Sequence, residues 1–210
     1  MAAKGRSKSL FQWRKALERR PPSRIPKPIV LVVCEGAKTE PTYFQALRKA
    51  KRMSPEQIKI VPGEEGSHPK KVVEYAKSLK EEIRQDGLIV DEVWCVFDRD
   101  IHQCIKAAFF QARSNQFHVA FSNPSFELWF LLHYEDQNSH IERQAVTRKL
   151  KRHIQRYQKA MDVYPILLCN QTRAIDRAEK LRKLHRDNQE EENENPSTNV
   201  DKLVIYLNSL

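Results

Sequence analysis

The chain has 210 residues, of which 40% are hydrophobic, so it is long enough for one folded domain with an appendage but not for two large domains. Its formal net charge of +10 at pH 7 predicts a polyanionic partner, nucleic acid before a membrane surface, because Lys and Arg replace counterions on phosphate backbones. No apolar run approaches the ~20 residues of a membrane span, and the N-terminus lacks the apolar core of a secretory signal, so we expect a cytoplasmic protein.

Residues 1–27 differ from the rest of the chain in composition. They carry nine Lys or Arg against one acid, with prolines at positions 21, 22 and 26. This composition predicts a basic, flexible arm. Contact with nucleic acid and a role as a solubilising tail both fit such an arm.

Strands and helices alternate over residues 28–135. The continuous apolar run at 28–33 is typical of a strand buried on both faces of a parallel sheet. Further strands are predicted at 57–61, 92–98 and 117–122, and helices at about 40–52, 69–84 and 105–113. The alternation predicts an α/β fold in which helices flank a parallel sheet.

The pattern changes after about residue 135. Helices are predicted at 141–160, 171–187 and 198–209, a strand only at 164–168, and an acidic linker at 188–196. We expect residues 136–210 to form a helical C-terminal extension packed on the sheet domain.

Asp98 and Asp100 follow the apolar part of the third predicted strand. Successive residues of a strand face opposite ways, so these two carboxylates share one side while Arg99 turns away. Two carboxylates on one side repel each other unless a cation lies between them, and Mg²⁺ prefers such oxygen ligands. The pair predicts a site for Mg²⁺ or Mn²⁺, with a solvated turn as the alternative.

Glu35 ends the first predicted strand and precedes Gly36. Ligands of open α/β sheets bind beyond the strand ends, so Glu35 is expected near Asp98 and Asp100, as a metal ligand or as the proton carrier of a hydrolytic reaction. The alternative is a carboxylate that interacts with nearby helix N–H groups. Glu40 fits that alternative better, because it directly precedes a proline at a predicted helix start.

Glu127 is the fourth candidate acid. Asn123 and Pro124 predict a helix cap followed by a first-turn proline, which places Glu127 about one turn into the helix. The neighbouring residues are almost all apolar, and a charge on such a helix is costly unless it is paired or bound to metal. A favourable charge at a helix N-terminus is the alternative.

Basic residues predict where nucleic acid binds. Lys38 lies in the loop after the first strand and is a candidate contact to phosphate. If residues 141–160 are one helix, most of its cations fall on a single side, with Tyr157 nearby to stack on a base. A solvated basic face is the alternative. The candidate cations of this helix are Arg148, Lys151, Arg152, Arg156 and Lys159.

At these residues the chain resembles the RloB-like family of small proteins with a Toprim-type fold. The matching segments are VCEGAKTEPTYF at 33–44, VWCVFDRD at 93–100, SNPSFELWFLLH at 122–133 and NPSTNV at 195–200. The resemblance runs from about residue 29 to the C-terminus. It implies a four-stranded parallel sheet between helices, Glu35 as the Toprim glutamate with an acid or base role, and Asp98 with Asp100 as the metal-binding pair.

The resemblance also implies a function. Toprim domains occur in topoisomerases, primases and OLD-type nucleases, which act on phosphodiesters with Mg²⁺, and RloB-like proteins are similar to components of phage-defence loci beside an AAA-type ATPase. No DNA-gate tyrosine domain or primase zinc module is visible in the sequence. We therefore expect a Mg²⁺- or Mn²⁺-dependent nuclease that cleaves DNA or RNA, tRNA included, in antiviral defence.

Two other functions fit the same residues. A non-catalytic nucleic-acid-binding or regulatory subunit of an ATPase-containing defence complex would use the basic residues alone. A nucleotidyl-transferring Toprim enzyme would use the acids to join phosphates. The sequence has no Walker-type Gly-rich loop, so ATP hydrolysis is expected from a partner protein, and a homo-oligomer is compatible with each function.

Overall fold

The structure is a computed structural model that describes residues 27–64, 67–99, 105–187 and 195–210. Nearly all of the predicted basic arm, most of the predicted acidic linker and Asp100 lie outside these ranges. What the sequence predicts for them stays a prediction.

A single five-stranded sheet organises the described residues. Its strands lie in the order β2-β1-β3-β4-β5, and β1 to β4 are mutually parallel. The predicted α/β fold with a parallel sheet is confirmed, and β5, which pairs antiparallel with β4, is one strand more than the resemblance implies. The strands are β1 (Val30–Cys34), β2 (Ile58–Val61), β3 (Glu92–Asp98), β4 (His118–Asn123) and β5 (Ser197–Thr198).

Helices cover both faces of the sheet, and most of them begin and end close to the predicted positions. The helix predicted at 141–160 ends at residue 153, and the one predicted at 198–209 begins at residue 200. The helices are α1 (Thr39–Ala50), α2 (Pro69–Gln85), α3 (Ile105–Ser114), α4 (Glu127–Leu132), α5 (Arg143–His153), α6 (Tyr164–Leu167), α7 (Gln171–Asp187) and α8 (Val200–Ser209), with a 3₁₀ turn at Leu168–Asn170 between α6 and α7.

The strand predicted at 164–168 is wrong, because this segment forms α6 and the start of the 3₁₀ turn. Tyr164 and Leu167 are buried, whereas Ile166 and Leu168 are exposed. Burial at a spacing of three residues suits one face of a helix and not the alternation of a strand. Pro165 lies in the first helical turn, where its missing N–H costs little.

The continuous apolar run of β1 is buried on both faces, as the sequence predicts. Val30, Val32 and Cys34 belong to the core cluster that also contains residues of α1 and α4 to α8. Leu31 and Val33 pack on the opposite face against α2 and α3. All five side chains of β1 are fully buried, so β1 is an interior strand that is packed on both faces.

The C-terminal segment supports the carboxyl end of β4. The side-chain oxygen of Asn199 accepts a hydrogen bond from the backbone N–H of Phe121 at 2.5 Å. Arg182 makes a two-pronged ion pair with Asp201 and also donates to the carbonyl oxygen of Thr198 at 2.7 Å. The contacts of Arg182 attach β5 and α8 to α7. The hydrogen bond of Asn199 attaches the same segment to β4.

None of the helices within the described ranges combines the length and apolar character needed to cross a membrane.

Candidate metal centre

The carboxyl ends of β1 and β3 lie side by side. Cys34 is in register with Val96, and the backbone N–H of Glu35 donates to the carbonyl oxygen of Val96 at 2.8 Å. The Glu35 carboxylate oxygen Oε2 accepts a hydrogen bond from the backbone N–H of Asp98 at 3.1 Å. The parallel sheet therefore brings these two predicted site residues into direct contact.

The Asp98 side chain is largely buried at this edge, with 13% of its surface exposed. Its Oδ1 atom is buried and has no hydrogen-bond partner, and its Oδ2 atom lies 3.8 Å from Nη1 of Arg143. Burial raises the pKa of Asp98 well above its usual value, and the negative charges of Glu40 and Glu127 raise it further. Arg143 and a backbone N–H at Phe126 act in the opposite direction. The surroundings of Asp98 thus disfavour its charged form, and a cation beside it would favour that form.

Glu40 forms an acidic cluster with Asp98 and Glu127. The sequence had favoured a role for Glu40 only at the start of a helix. It does lie in the first turn of α1, but its side chain is buried, and a Cβ atom at Gly36 would collide with its carboxylate. Burial raises the pKa of Glu40, and the charge of Glu127 raises it further, whereas nearby backbone N–H groups and Lys159 lower it. The only sequence signal was a second glutamate five residues after Glu35.

Glu127 reaches the cluster from the end of β4. Asn123 is the last residue of β4 and not a helix cap, so Glu127 is the first residue of α4 rather than one turn in. The prediction of a buried helix is confirmed, because every residue of α4 is buried, Glu127 included. The hydroxyl of Tyr157 donates to Oε1 of Glu127 at 3.4 Å. Burial raises the pKa of Tyr157, so its hydroxyl stays protonated.

Two cations border the acids. Arg143, the first residue of α5, faces Asp98 and also donates from Nη2 to the carbonyl oxygen of Arg99 at 3.2 Å. Lys159 acts electrostatically on Glu40. The sequence predicts Lys159 as a nucleic-acid contact but does not indicate Arg143, because no local pattern links Arg143 to the end of β3.

The predicted basic face on one helix is wrong in part. Arg148, Lys151 and Arg152 are exposed on α5, which ends at His153. Arg156, at φ +60°, and Lys159 are exposed on the connection that follows.

The helix ends at His153 because Ile154 and Tyr157 pack into the core. Ile154 has an extended backbone and is 3% exposed, and Tyr157 is 2% exposed and bonded to Glu127. Tyr157 therefore cannot stack on a base, as the sequence had suggested.

Lys38 lies next to the cluster, at the position that precedes α1. Its side chain is exposed and makes no capping hydrogen bond to the helix. This placement fits the predicted contact to phosphate without testing it.

The available ligands suit a hard divalent ion. Among the described residues, no group of three or more His, Cys, Asp or Glu side chains is arranged to hold a metal ion. Mg²⁺ commonly takes only one or two carboxylates and completes its shell with water and substrate oxygens. The buried, unpartnered Oδ1 of Asp98, close to other carboxylates, fits such an ion, and Asp100 would follow it two residues on.

Among the residues that the structure describes, sulfur and nitrogen ligands do not fit as well. Burial raises the pKa of the Cys34 thiol, which keeps it protonated, and His133 is buried with Nδ1 bonded to the carbonyl oxygen of Trp129 at 2.8 Å. His133 is therefore a buried histidine held by a hydrogen bond to the backbone. The described donors at the sheet edge are carboxylate oxygens, which favour magnesium or manganese over zinc.

A cleft of about 380 Å³ opens beside the same end of β1, on the α2 side of the sheet. Val33, Cys34 and Gly63 form its inner wall, and Tyr75 and Lys71 of α2 line the opposite side. A Cβ atom at Gly63 would collide with the carbonyl oxygen of Glu35, so the loop after β2 lies directly on the strand end. The cleft lies beside Val33 and Cys34, the two residues that precede Glu35.

Comparison with known proteins identifies the family of the chain. Neither a curated protein nor a solved structure matches the chain. The sequence profile of the family described as RloB-like protein matches residues 30–207, which is most of the chain and includes all the described acids of the cluster. The chain therefore belongs to the RloB-like protein family.

Proposed function

We propose that this protein is a divalent-metal-dependent nuclease of the Toprim type. The observation that carries the proposal is the Oδ1 atom of Asp98, which is buried without a hydrogen-bond partner and lies within the electrostatic reach of Glu40 and Glu127. Gathering buried carboxylates costs stability unless a cation joins them. Such costly clusters mark functional sites, and a carboxylate cluster at the carboxyl edge of a parallel sheet is placed to bind metal and phosphate.

Each acid has a role in this proposal. Asp98 and Asp100 hold Mg²⁺ or Mn²⁺ together with Glu35, and Glu127 completes or tunes the site, now joined by Glu40. When bound, the ion supplies Lewis-acid stabilisation of the charge that develops on the scissile phosphate. Glu35 holds or moves the proton of the attacking water, and the hydrogen bond from the Asp98 N–H fixes one of its oxygens at the sheet edge.

Nucleic acid is the proposed substrate because of the charge and placement of the cations. The net charge of +10 favours association with phosphate backbones. Exposed cations are found at Lys38, on α5 and on the connection after it. The proposed contacts are Lys38, Arg148, Lys151, Arg152, Arg156 and Lys159.

Membership of the RloB-like family supports a defence role. In this proposal the nuclease acts against phage and is controlled by an AAA-type ATPase encoded beside it. Cleavage that starts or changes specificity when the purified ATPase and ATP are added would support this partner. Cleavage that is unaffected by any neighbouring ATPase would contradict it.

The test of the nuclease proposal is a cleavage assay on plasmid, single-stranded DNA, total RNA and tRNA, each with Mg²⁺, Mn²⁺ or EDTA. Cleavage is expected only with a divalent ion. Asp98→Asn, which preserves the shape of the side chain, should abolish it. Glu81→Gln is the matched control, because Glu81 is an exposed residue paired with Arg84 at the far end of α2.

Two outcomes would overturn the proposal in favour of the other functions. Binding of nucleic acid without any metal-dependent cleavage would identify a binding or regulatory subunit. Joining of phosphates with consumption of nucleoside triphosphate would identify a nucleotidyl-transferring enzyme.

A further inference from the structure

We propose that Arg143 occupies the cation position beside Asp98 while the metal is absent, and turns to a phosphate of the nucleic acid when the metal binds. This inference rests on the proposed nuclease function and assigns a role to a residue that no sequence pattern indicated.

The geometry of the Arg143 side chain is that of a loosely held cation. Nη1 of Arg143 lies 3.8 Å from Oδ2 of Asp98, beyond the ~2.7–2.9 Å of a charge-assisted hydrogen bond. Its second amino group donates to the carbonyl oxygen of Arg99 at 3.2 Å, and 43% of the side chain is exposed. The guanidinium therefore has room to leave Asp98.

A structural ion pair in the same chain shows the contrast. Arg182 contacts both carboxylate oxygens of Asp201, at 2.5 and 2.7 Å, and the two side chains are 18% and 2% exposed. That pair is closed, buried and bidentate, whereas the pair of Arg143 with Asp98 is open. The open pair suits an exchange of partners.

Electrostatics explains why Arg143 points at the cluster and why it would leave. Asp98 lies near the charges of Glu40 and Glu127, so a positive group beside it is favoured when no metal is present. A divalent ion at Asp98 would repel a guanidinium a few ångströms away. A guanidinium offers a fork of N–H donors that matches phosphate oxygens, so the substrate backbone is its natural next partner.

The first experiment measures Mn²⁺ affinity by calorimetry on the full chain without nucleic acid. Arg143→Ala should bind Mn²⁺ about 3- to 10-fold more tightly than the natural protein, because the competing cation is gone. Arg143→Lys, which keeps the charge, should stay near the natural value. Arg84→Ala is the matched control: it removes one positive charge at the far end of α2 and should leave Mn²⁺ affinity unchanged.

The second experiment measures the affinity for single-stranded DNA and for RNA with Ca²⁺ in place of Mg²⁺. Arg143→Ala should weaken binding about 10-fold, and Arg143→Lys should fall between, because a lysine cannot make the forked contact. Arg84→Ala should bind like the natural protein. Arg143→Lys keeps both experiments decisive if Arg143→Ala fails to fold, because it should then show natural Mn²⁺ affinity with weakened binding of nucleic acid.

The outcomes separate this inference from the proposed function. If the natural protein cleaves with metal but Arg143→Ala binds Mn²⁺ no more tightly, or binds nucleic acid as well as before, the role of Arg143 is overturned and the nuclease stands. If the natural protein binds no Mn²⁺, both are overturned.

Discussion

The carboxylate of Glu35 and the backbone N–H of Asp98 are joined by a hydrogen bond of 3.1 Å, although 63 positions separate the two residues in the sequence. The bond links the ends of two neighbouring parallel strands. It also fixes the direction of a carboxylate at the rim where the other acids gather.

Glu35→Gln should retain the fold and lose cleavage. The amide oxygen of Gln can still accept the hydrogen bond from the Asp98 N–H, but the side chain cannot exchange a proton. Loss of a general acid or base typically costs about 10²–10⁴-fold in rate. Cleavage assays with thermal unfolding in parallel check this, and full activity in Glu35→Gln would show that its role is structural.

Glu40→Gln should weaken Mn²⁺ binding about 10-fold or more if Glu40 acts with Asp98 and Glu127 on a metal. The substitution preserves the packing of the side chain over Gly36. If Glu40 serves only the start of α1, Mn²⁺ affinity should be unchanged and only stability should fall. Calorimetric titration of the natural and variant proteins distinguishes the two roles.

Substitution of Gly63 and of Gly36 by alanine should affect stability and metal binding to different extents. A Cβ at Gly63 would meet the backbone of Glu35 and Cys34, which belongs to a buried strand, so Gly63→Ala should lower the free energy of unfolding by about 1–3 kcal/mol. The nearest atoms to a Cβ at Gly36 belong to the end of the Glu40 side chain. Gly36→Ala should therefore cost less stability but should weaken Mn²⁺ binding by displacing that carboxylate. Chemical denaturation and metal titration of both variants measure this, and equal losses in both would contradict it.

His133 should make the protein less stable in acid. Burial lowers the pKa of His133 to about 4, from an ordinary value of about 6.5. The unfolded chain thus binds a proton at a higher pH than the folded chain does, so stability is full above about pH 6.5 and falls as the pH drops towards 4.

The measurement is the free energy of unfolding between pH 7 and 4 for the natural protein and for His133→Gln. Absolute stabilities of the two proteins will differ, so the comparison is between their slopes. The variant should lose less stability over this range. Parallel curves would show that His133 does not titrate with folding.

The local pattern of apolar residues was enough to predict the strands of the sheet. The apolar run of β1 and the run that leads to Asp98 predict buried parallel strands, and both are observed. Because parallel strands end at one edge, the sequence also predicts that Glu35 and Asp98 meet. These inferences succeed because periodicity and burial are properties of neighbouring residues along the chain.

Other features depend on contacts between distant segments. The sequence spacing predicts Tyr157 on the surface of a helix. Instead α5 ends before Tyr157, whose side chain packs in the core and donates a hydrogen bond to Glu127. Thr198 looks helical, yet it pairs with Ser122 at the open edge of the sheet. Burial of an apolar side chain and satisfaction of a sheet edge outweigh weak local preferences.

The sequence by itself therefore determined the α/β sheet and the strand ends that carry Glu35 and Asp98. Only the tertiary structure decided which further charges join them, because Glu40 and Arg143 come from elements whose approach is set by packing. Electrostatic energy depends on distance through space, and no local pattern in the sequence encodes that distance.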